Sequence, residues 1–436
     1  MGRKMKDSGI EWIGEIPADW TIKRLKYQFD FGKGLSITKA DLVENGIAVI
    51  SYGQIHSKEN NGTEVNDSLI RFIPSDSEVV SPNSLLHKGD FVFADTSEDL
   101  DGCGNCVYVD SDNELYAGYH TIILKNKEAN GKYLAYLFQT DNWRKQIRAK
   151  VSGVKVFSIS RKILSEAINI VPPIEVQAKI VAILDEKCRE IDAAIKKTTD
   201  TMEAYKFLKQ SLITRAVTKG IRGEREMKDS GMDWVREIPY EWDSINPKAL
   251  FKQRKDRAKE GEKQLTASQK YGVIYQDEYM ELTGSSVVLV EKDFSILKHV
   301  EAGDFVISMR SFQGGLEYSE NTGSISSAYV MLIPNTEMVY PPFYKWLFKS
   351  SLYINALQST SDLVRDGQAM RYSNFAKVRL YSVPTEEQCE IAEYLDEKCS
   401  AIDTLIAKKE QLLSELEIYK KYLIYEYVTG KREVPA

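Results

Sequence analysis

The chain has 436 residues, a formal net charge of −6 and a hydrophobic content of 43%, which is ordinary for a globular protein. No apolar run reaches the roughly 18 residues of a transmembrane helix, and the charged start MGRKMKDSGIEWIG lacks the apolar stretch of a secretory signal. Five cysteines are too few for a disulfide framework here, so we expect a cytoplasmic protein without membrane contact. The negative charge argues against a free-standing non-specific DNA binder, because phosphate neutralisation would favour a basic protein.

A short segment near the N-terminus is repeated near the middle of the chain. MKDSGIEWIGEIPADW (5–20) matches MKDSGMDWVREIPYEW (227–242), an offset of 222 positions. We call these two stretches the lead segments. Their repetition predicts an internal duplication.

The regions that follow the lead segments, 20–165 and 243–378, have mixed α/β character. Short apolar runs with turn-rich sequence between them predict strands: IAVISY (47–52), DFVFA (90–94), YHTIILK (119–125), GSSVVLV (284–290), DFVIS (304–308) and AYVMLI (328–333). Each region ends in a helix-like stretch, at 132–148 and 342–358. Polar loops on such a scaffold suit a recognition surface.

Each half then continues into a long charged segment that contains the pentapeptide LDEKC, at 184–188 and again at 395–399. Apolar residues recur there in alternating steps of three and four, which predicts a heptad seam. Each segment lacks internal Pro and Gly and is followed by a stop signal, Gly220 or Gly430. About 43 residues at 1.5 Å per residue predict helices about 65 Å long. Cys188 and Cys399 fall on the seam, which favours a packing role over a redox role.

A helix of this length cannot bury its seam alone, so we expect the two copies to pair. The predicted fold is therefore two copies of an α/β (α+β) globular recognition domain, joined by two long α-helices that form an antiparallel coiled coil about a pseudo-two-fold axis. The predicted boundaries are 1–170 for the first lead segment and domain, 171–222 for the central helix, 223–382 for the second lead segment and domain, and 383–436 for the C-terminal helix.

The repeated parts are alike and the middle regions are not. Between the two repeats the second half is shorter by 11 residues, because the offset falls from 222 at the lead segments to 211 at LDEKC. Constant ends with divergent middles favour a protein whose ends assemble and whose middles discriminate. The alternative is an old duplication that has drifted.

This layout resembles the specificity subunit of a type I restriction–modification system. The resemblance rests on the SGxxWxxEIPxxW lead segments, the GDFV strands, the VPPIEVQ and VPTEEQ helix starts and the LDEKCxxID helices, and it covers nearly the whole chain. It implies two target-recognition domains that each read one half of a split sequence in double-stranded DNA. It further implies partners: two modification (methyltransferase) subunits and restriction (translocase/nuclease) subunits. S-adenosylmethionine, ATP and Mg would bind to those partners, and no cofactor or metal would bind to this chain.

Motifs for catalysis are incomplete. FDFGKG (29–34) departs from the S-adenosylmethionine loop at Asp30, and YPPF (340–343) has Tyr340 in place of the Asn of a methyltransferase tetrad. Cys103 and Cys106 form one C-x-x-C pair without the second pair that a zinc site needs. We therefore predict no catalytic, cofactor-binding or metal-binding residue. A stand-alone methyltransferase or nuclease is the weaker alternative, and a two-domain protein-binding adaptor is the other.

Loop residues that can read base edges or meet phosphates are candidates for DNA contact. They are Tyr52, Gln54, Ser57, Lys58, Asn60, Asn61, Lys150 and Lys155 in the first half, and Ser268, Gln269, Lys270, Arg310, Ser311, Gln313, Arg365 and Arg371 in the second. The alternative is that many are ordinary polar loop residues.

Candidates for partner contact lie on the repeated parts. They are Trp12, Trp20, Trp234 and Trp242 of the lead segments, with Lys179, Glu186, Glu397 and Lys408 on the long helices. Aromatic side chains supply much of the energy of an interface. The tryptophans could equally close the cores of their own domains.

Overall fold

The structure is a computed structural model that describes residues 3–127, 130–287, 290, 294–360 and 370–434. The chain divides into two compact units. Unit 1 comprises residues 1–197 and 412–436, and unit 2 comprises residues 198–411. Each unit therefore holds one lead segment, one α/β region and a part of each long helix. The finer four-segment division stays a prediction.

The strands and helices of unit 1 are short, apart from the long helix that leaves it. In chain order they are β1 (Met5–Asp7), β2 (Glu15–Pro17), β3 (Thr21–Arg24), α1 (Leu25–Gln28), β4 (Phe29–Lys33), β5 (Ile47–Ile50), α2 (Tyr52–Ile55), β6 (Arg71–Ile73), β7 (Leu85–Leu86), β8 (Phe91–Ala94), β9 (Thr96–Ser97), β10 (Cys106–Tyr108), β11 (Leu115–Ala117), β12 (Thr121–Asn126), α3 (Gly131–Gln139), α4 (Asp141–Arg148), β13 (Phe157–Ser158), α5 (Arg161–Ser165), β14 (Ile168–Val171) and α6 (Ile174–Lys219).

Unit 2 repeats much of this order. Its elements are β15 (Met227–Met232), β16 (Val235–Pro239), β17 (Asp243–Ile245), α7 (Pro247–Leu250), β18 (Phe251–Arg254), β19 (Leu265–Ser268), β20 (Gly272–Tyr275), α8 (Gln276–Thr283), β21 (Lys298–Val300), β22 (Phe305–Ile307), α9 (Ser311–Gly314), β23 (Glu317–Tyr318), β24 (Gly323–Ile325), β25 (Val330–Pro334), α10 (Pro341–Leu347), α11 (Ser351–Ser359), α12 (Tyr372–Phe375), β26 (Leu380–Ser382) and α13 (Thr385–Val428).

The same antiparallel sheet lies at the centre of each unit. Its strand order is β10-β8-β12-β4 in unit 1 and β23-β22-β25-β18 in unit 2. The repeated GDFV sequence supplies the second strand of each sheet, β8 and β22. Both faces of each sheet are buried: Phe91 and Phe305 pack into one core cluster of their unit, and the adjacent Val92 and Val306 pack into another on the opposite face. The predicted mixed α/β domains are confirmed as two copies of one sheet.

Some predicted elements differ in detail. The helix-like stretches 132–148 and 342–358 each form two helices, because Thr140 and Ser350 cap a new helix start by accepting a hydrogen bond from Trp143 N and Tyr353 N. GSSVVLV carries no strand over its described residues 284–287 and 290, since Gly284 ends α8 with a φ of 66°.

The long helices confirm the heptad prediction. Helix α6 has 46 residues and α13 has 44. In each unit, the N-terminal part of one helix packs against the C-terminal part of the other, so the pairing is antiparallel. The buried seam residues include Leu184, Cys188 and Leu423 in unit 1, with Leu395 and Cys399 among those in unit 2.

The two copies of LDEKC make equivalent contacts in the two units. Leu184 and Leu395 are fully buried, and burial raises the pKa of the Cys188 and Cys399 thiols to about 11, which keeps them neutral. The Asp of the motif holds the α/β region: Asp185 accepts a hydrogen bond from Tyr136 Oη (2.6 Å). In unit 2, Trp346 Nε1 donates to the equivalent Asp396 (2.8 Å).

Lys420 in α13 and Lys209 in α6 interrupt the apolar heptad pattern, and each has an acidic partner on the facing helix. Lys420 Nζ lies 2.7 Å from Asp192 in unit 1, and Lys209 Nζ lies 2.6 Å from Asp403 in unit 2. These four residues occupy equivalent positions in the two repeats. Each pair links the facing helix segments of its own unit at one register.

The two lead segments form hairpins, β1–β2 and β15–β16, that close against a helix end in their own unit. Gly430 has a φ of +71°, and a Cβ there would lie 2.6 Å from Pro17 Cδ, so only glycine fits between helix and hairpin. In unit 2, Trp242 Nε1 donates to Glu387 (2.9 Å), and Glu387 pairs with Arg225 (2.6 Å).

Among the described helices, none is long and apolar enough to cross a membrane.

Candidate nucleic-acid interface and partner surfaces

In unit 1, several loops meet at the edge of the sheet where β8 ends. Asp95 N donates to His120 O (3.1 Å), and Tyr52 N donates to Tyr119 O (3.3 Å). The Tyr52 ring lies 5.5 Å from both the Tyr119 ring and the His120 ring. His120 Nδ1 lies 3.1 Å from Asp95 Oδ1, so this edge combines aromatic faces with an acid–imidazole pair.

Four of the first-half candidates, Gln54, Ser57, Asn60 and Asn61, have structural partners within unit 1. Gln54 Oε1 accepts from Ser51 N (3.3 Å) at the start of α2. Asn60 Nδ2 donates to Ile55 O (2.8 Å) and Cys106 O (3.1 Å), and Asn61 Nδ2 donates to Glu64 Oε1 (2.8 Å). Ser57 Oγ accepts from Glu59 N (3.2 Å). Side chains engaged in this way shape the loop, and their base-reading role stays a prediction.

The basic candidates of unit 1 are exposed and lie in three places. Lys155 is in the turn of a hairpin whose returning strand, β13, pairs with β9 directly after Asp95. Val154 at this turn is 94% exposed, which is unusual for an apolar side chain. Lys150 follows α4 and helps to lower the Glu166 carboxyl pKa, after a hydrogen bond from Lys26 that has the largest effect. Lys58 is exposed after α2.

In unit 2, the candidates from two distant segments come together. The tip of the β19–β20 hairpin carries Ser268, Gln269 and Lys270, and Gln269 Nε2 donates to Arg310 O (3.4 Å). A Cβ on Gly314 would lie 2.6 Å from Gln269 Nε2, so the hairpin tip rests against α9. Ser311 is buried and its Oγ accepts from Ser308 N (2.9 Å), which makes it a turn former.

Arg310, Gln313 and Lys270 are exposed around this contact. Lys270 Nζ lies 5.0 Å from the centre of the Tyr271 ring, a cation–π geometry that presents the ammonium at the hairpin tip. Arg371 is exposed at the start of α12, and Arg365 lies outside the described residues.

The same sheet edge therefore carries different chemistry in the two units. Strand register makes His120 equivalent to Ala328, and places Asp95 and Thr96 at the positions of Met309 and Arg310. Sequence reasoning missed Asp95 and His120. The available signal was their position: Asp95 directly follows β8, and His120 lies at the start of YHTIILK, directly before β12.

The lead-segment tryptophans divide into two kinds. Trp20 and Trp242 are fully buried, so they close the core of their own unit and offer no surface to a partner. Trp12 and Trp234 are half-buried, and Trp234 stacks on Tyr381 with ring centres 5.7 Å apart. Lys179, Glu186, Glu397 and Lys408 are exposed on the long helices as predicted.

The long helices also expose apolar residues that the sequence analysis did not single out. Phe207 and Leu208 of α6 are 77% and 45% exposed, and Ile418 and Tyr419 of α13 are 64% and 48% exposed. The offset of 211 makes these two pairs equivalent positions of the two repeats. We call them the apolar pairs. Exposed apolar side chains repeated in this way fit a protein-binding surface that occurs twice.

The weak catalytic motifs have structural explanations. FDFGK of the first motif forms strand β4, where Asp30 pairs with Lys127 (2.5 Å), and YPPF starts helix α10. Cys103 and Cys106 are both buried, and the described residues hold no cluster of acidic, His and Cys side chains suited to a metal ion.

Comparison with known proteins agrees with this architecture. Residues 17–201 match the family described as the type I restriction modification DNA specificity domain. A putative type I restriction enzyme specificity subunit of Methanocaldococcus jannaschii, MjaX, is 23% identical and covers 97% of this chain and 96% of its own length. The chain is thus similar to type I restriction–modification specificity subunits.

A second specificity subunit from the same organism, MjaVIII, is 23% identical over 48% of each chain. Two solved structures share the fold at 14% identity. One is a chain from a type I restriction–modification system studied for complex assembly and conformational transition, with a TM-score of 0.68 over 96% of this chain and 99% of that one. The other is the HsdS subunit of Thermoanaerobacter tengcongensis, with a TM-score of 0.50 over 96% and 98%.

Proposed function

We propose that this chain is a non-catalytic, sequence-specific DNA-binding subunit of a type I restriction–modification complex. It recognises a two-part target, one part per unit, and directs methylation and restriction that other chains carry out. One observation carries the proposal: two units share a sheet order and helix docking, yet present unlike polar side chains at the same sheet edge. A constant scaffold with variable edges is what reading two different half-sites requires.

Double-stranded DNA, modification subunits and restriction subunits are the proposed partners. Two modification subunits fit best, because each repeat carries one copy of the apolar pair on its helix. S-adenosylmethionine, ATP and Mg are assigned to those partners. The net charge of −6 supports this division of labour, since basic partner surfaces would then supply much of the phosphate neutralisation.

The first test is adenine-methylation sequencing of the host genome with and without this gene. The expected result is that one split motif, two short halves around a fixed gap, loses methylation upon deletion. Unchanged methylation, in cells that express the partner methyltransferase, would contradict the proposal.

A salt titration of duplex binding distinguishes the DNA reader from a protein-binding adaptor. The affinity of the chain with its modification subunits should fall with a slope of about 0.9 per phosphate contact in a plot of log K against log salt. If the chain is an adaptor, adding it to the modification subunits should leave their own affinity for the duplex unchanged. The salt slope of that affinity should also stay the same.

A further inference from the structure

We propose that His120, held by Asp95, contacts a base edge in the half-site that unit 1 reads. This inference rests on the proposed function. It adds a base-reading residue that the search for polar residues in loops did not find. The observations concern backbone conformation, side-chain geometry and the equivalent edge of unit 2.

His120 has an unusual backbone conformation. Its φ is +54°, which makes it the one non-glycine residue with a positive φ in the described parts of the chain. This left-handed region is costly for a residue with a Cβ, and such strain persists only where neighbouring structure fixes it. A glycine would fit here at lower cost. The presence of histidine instead indicates that its side chain has a use.

The surrounding backbone holds the strained residue in place. His120 O accepts from Asp95 N (3.1 Å), and Tyr119 O accepts from Tyr52 N (3.3 Å). Thr121 Oγ1 donates to Gly118 O (2.7 Å), which closes the turn from the other side. A Cβ on Gly118 would lie 2.1 Å from Ser51 Oγ, so the turn packs tightly against the start of α2.

The His120 ring is oriented yet open to solvent. Its side chain is 56% exposed, and that of Asp95 is 28% exposed. The Asp95 carboxylate only accepts hydrogen bonds, so Nδ1 carries the proton of the 3.1 Å contact. The hydrogen bonds of the described residues include none to Nε2, which is therefore the polar atom that the ring can offer to a ligand.

The arrangement matches what base reading needs. An imidazole with a fixed ring plane can accept from a base amino group or, when doubly protonated, donate to a purine acceptor. The Tyr52 ring, edge-on at 5.5 Å and 77°, supports the orientation. By contrast His56 has both ring nitrogens engaged, with Thr96 O at 2.8 Å and Asn105 Nδ2 at 3.0 Å, and serves the loop itself.

The equivalent edge of unit 2 argues that this position varies with the target. Ala328 takes the place of His120, and exposed Arg310 lies on the neighbouring strand end. A position that only served the fold would need the same strained turn in both units. Ala328 is absent from the positive-φ residues, so unit 2 builds the same strand start without strain.

The experiment compares His120→Gly with Ala328→Gly in the full complex with modification subunits. The probe is a duplex carrying the split motif that methylation sequencing gives for the wild-type complex. His120→Gly should bind it about 5- to 150-fold more weakly and should relax one position of the unit 1 half in vivo. The thermal midpoint should stay the same or rise, because glycine relieves the backbone strain. Ala328→Gly should leave the motif intact.

Three other results would overturn the inference. A lower thermal midpoint with both half-sites weakened would make His120 a fold residue. Unchanged affinity and motif for His120→Gly, with a functioning wild type, would remove His120 from the interface and leave the proposed function standing. A wild-type complex that methylates no split motif would overturn the proposed function and this inference together.

Discussion

At the scale of single residues, the type of a polar side chain does not reveal which hydrogen bonds it makes. Asn60, Asn61 and Gln54 are predicted to contact base edges, and in the structure their amides also bond to backbone and side chains of the protein. Asn and Gln make such local bonds wherever a loop needs them. The sequence contains no sign of which bonds form, because the partners of Asn60 include Cys106, 46 positions away.

Asn60 and Lys58 give a matched test of this distinction. Asn60→Ala removes donors to two carbonyls and an acceptor for Gly62 N (2.9 Å), so the free energy of unfolding should fall by about 1–3 kcal/mol. Lys58→Ala, at an exposed site, should leave stability unchanged within about 0.5 kcal/mol. Urea unfolding measures both. An Asn60→Ala protein of normal stability that methylates a changed motif would restore Asn60 as a base reader.

Arg310 is the exposed cation at the end of the unit 2 strand and has a test of its own. Arg310→Ala should weaken binding of the split-motif duplex, because the hairpin tip and α9 present this side chain at the sheet edge. If it reads guanine, one position of the unit 2 half should relax, at a cost of about 1–3 kcal/mol.

The salt dependence separates the two possible contacts of Arg310. If Arg310 contacts phosphate, affinity should fall evenly across sequences and the salt slope should drop by about 0.9. Unchanged binding and an unchanged slope would mean that Arg310 lies outside the interface. Gln313→Ala is the comparison for the salt slope, because Gln313 is an exposed but uncharged candidate on α9, whose start Arg310 caps, and its loss should leave the slope unchanged.

At the scale of elements, the long helices were the most predictable part. A heptad pattern sustained over some 40 residues leaves few alternative structures, and the predicted seam residues such as Leu184 and Leu395 are buried. The breaks at Thr140 and Ser350 were missed because neither break carries a Pro or Gly. Each break does carry a Thr or Ser that caps the next helix, a signal that the sequence offers.

The apolar pairs predict how the helices take up partners. Replacing Phe207 and Leu208 with Ser should weaken binding of one modification subunit by about 30-fold or more, as expected for an aromatic anchor. Replacing Ile418 and Tyr419 should affect the other. Native mass spectrometry of the complex should then show the loss of one modification subunit for either variant and of both for the combination.

Glu186 and Glu397 are the matched polar control for this test, because they occupy equivalent exposed positions of the two repeats. Their replacement with Ser should leave the subunit count unchanged if the apolar pairs dominate. The opposite result would be that the Glu variants lose modification subunits while the apolar-pair variants bind them normally. The docking surface would then be the charged face of the helices and not the apolar pairs. The thermal midpoint of each variant chain reports whether its fold is intact.

At the scale of the whole molecule, the duplication made the architecture predictable and left the specificity unreadable. The repeated sequences form the features that both units share: the lead hairpin, the sheet order and the hydrogen bonds that Asp185 and Asp396 of the LDEKC motifs accept from the α/β region. The proposed base recognition depends instead on loops that share no pattern between the halves, such as the β19–β20 hairpin. Each of these loops has its own backbone conformation. A correspondence between residue and base found in one unit therefore does not apply to the other.

The duplication also predicts the outcome of a domain exchange. Residues 21–172 and 243–383 fill the same interval, because Gln177 Nε2 donates to Pro172 O (2.8 Å) and Gln388 Nε2 donates to Val383 O (2.7 Å) at equivalent helix starts. A chain with 21–172 in both places should fold and direct methylation of a new target. The antiparallel helix pairing seen in each unit predicts that this target is an inverted repeat of the half read by unit 1.

The exchange has a clear control and a clear contradiction. The reciprocal chain, with 243–383 in both places, should give the inverted repeat of the other half, so the two products together must reconstruct the wild-type motif. A direct repeat would contradict this prediction. A folded chain that still methylated the original motif would show that the middle regions do not choose the sequence, since nothing else in the chain was changed.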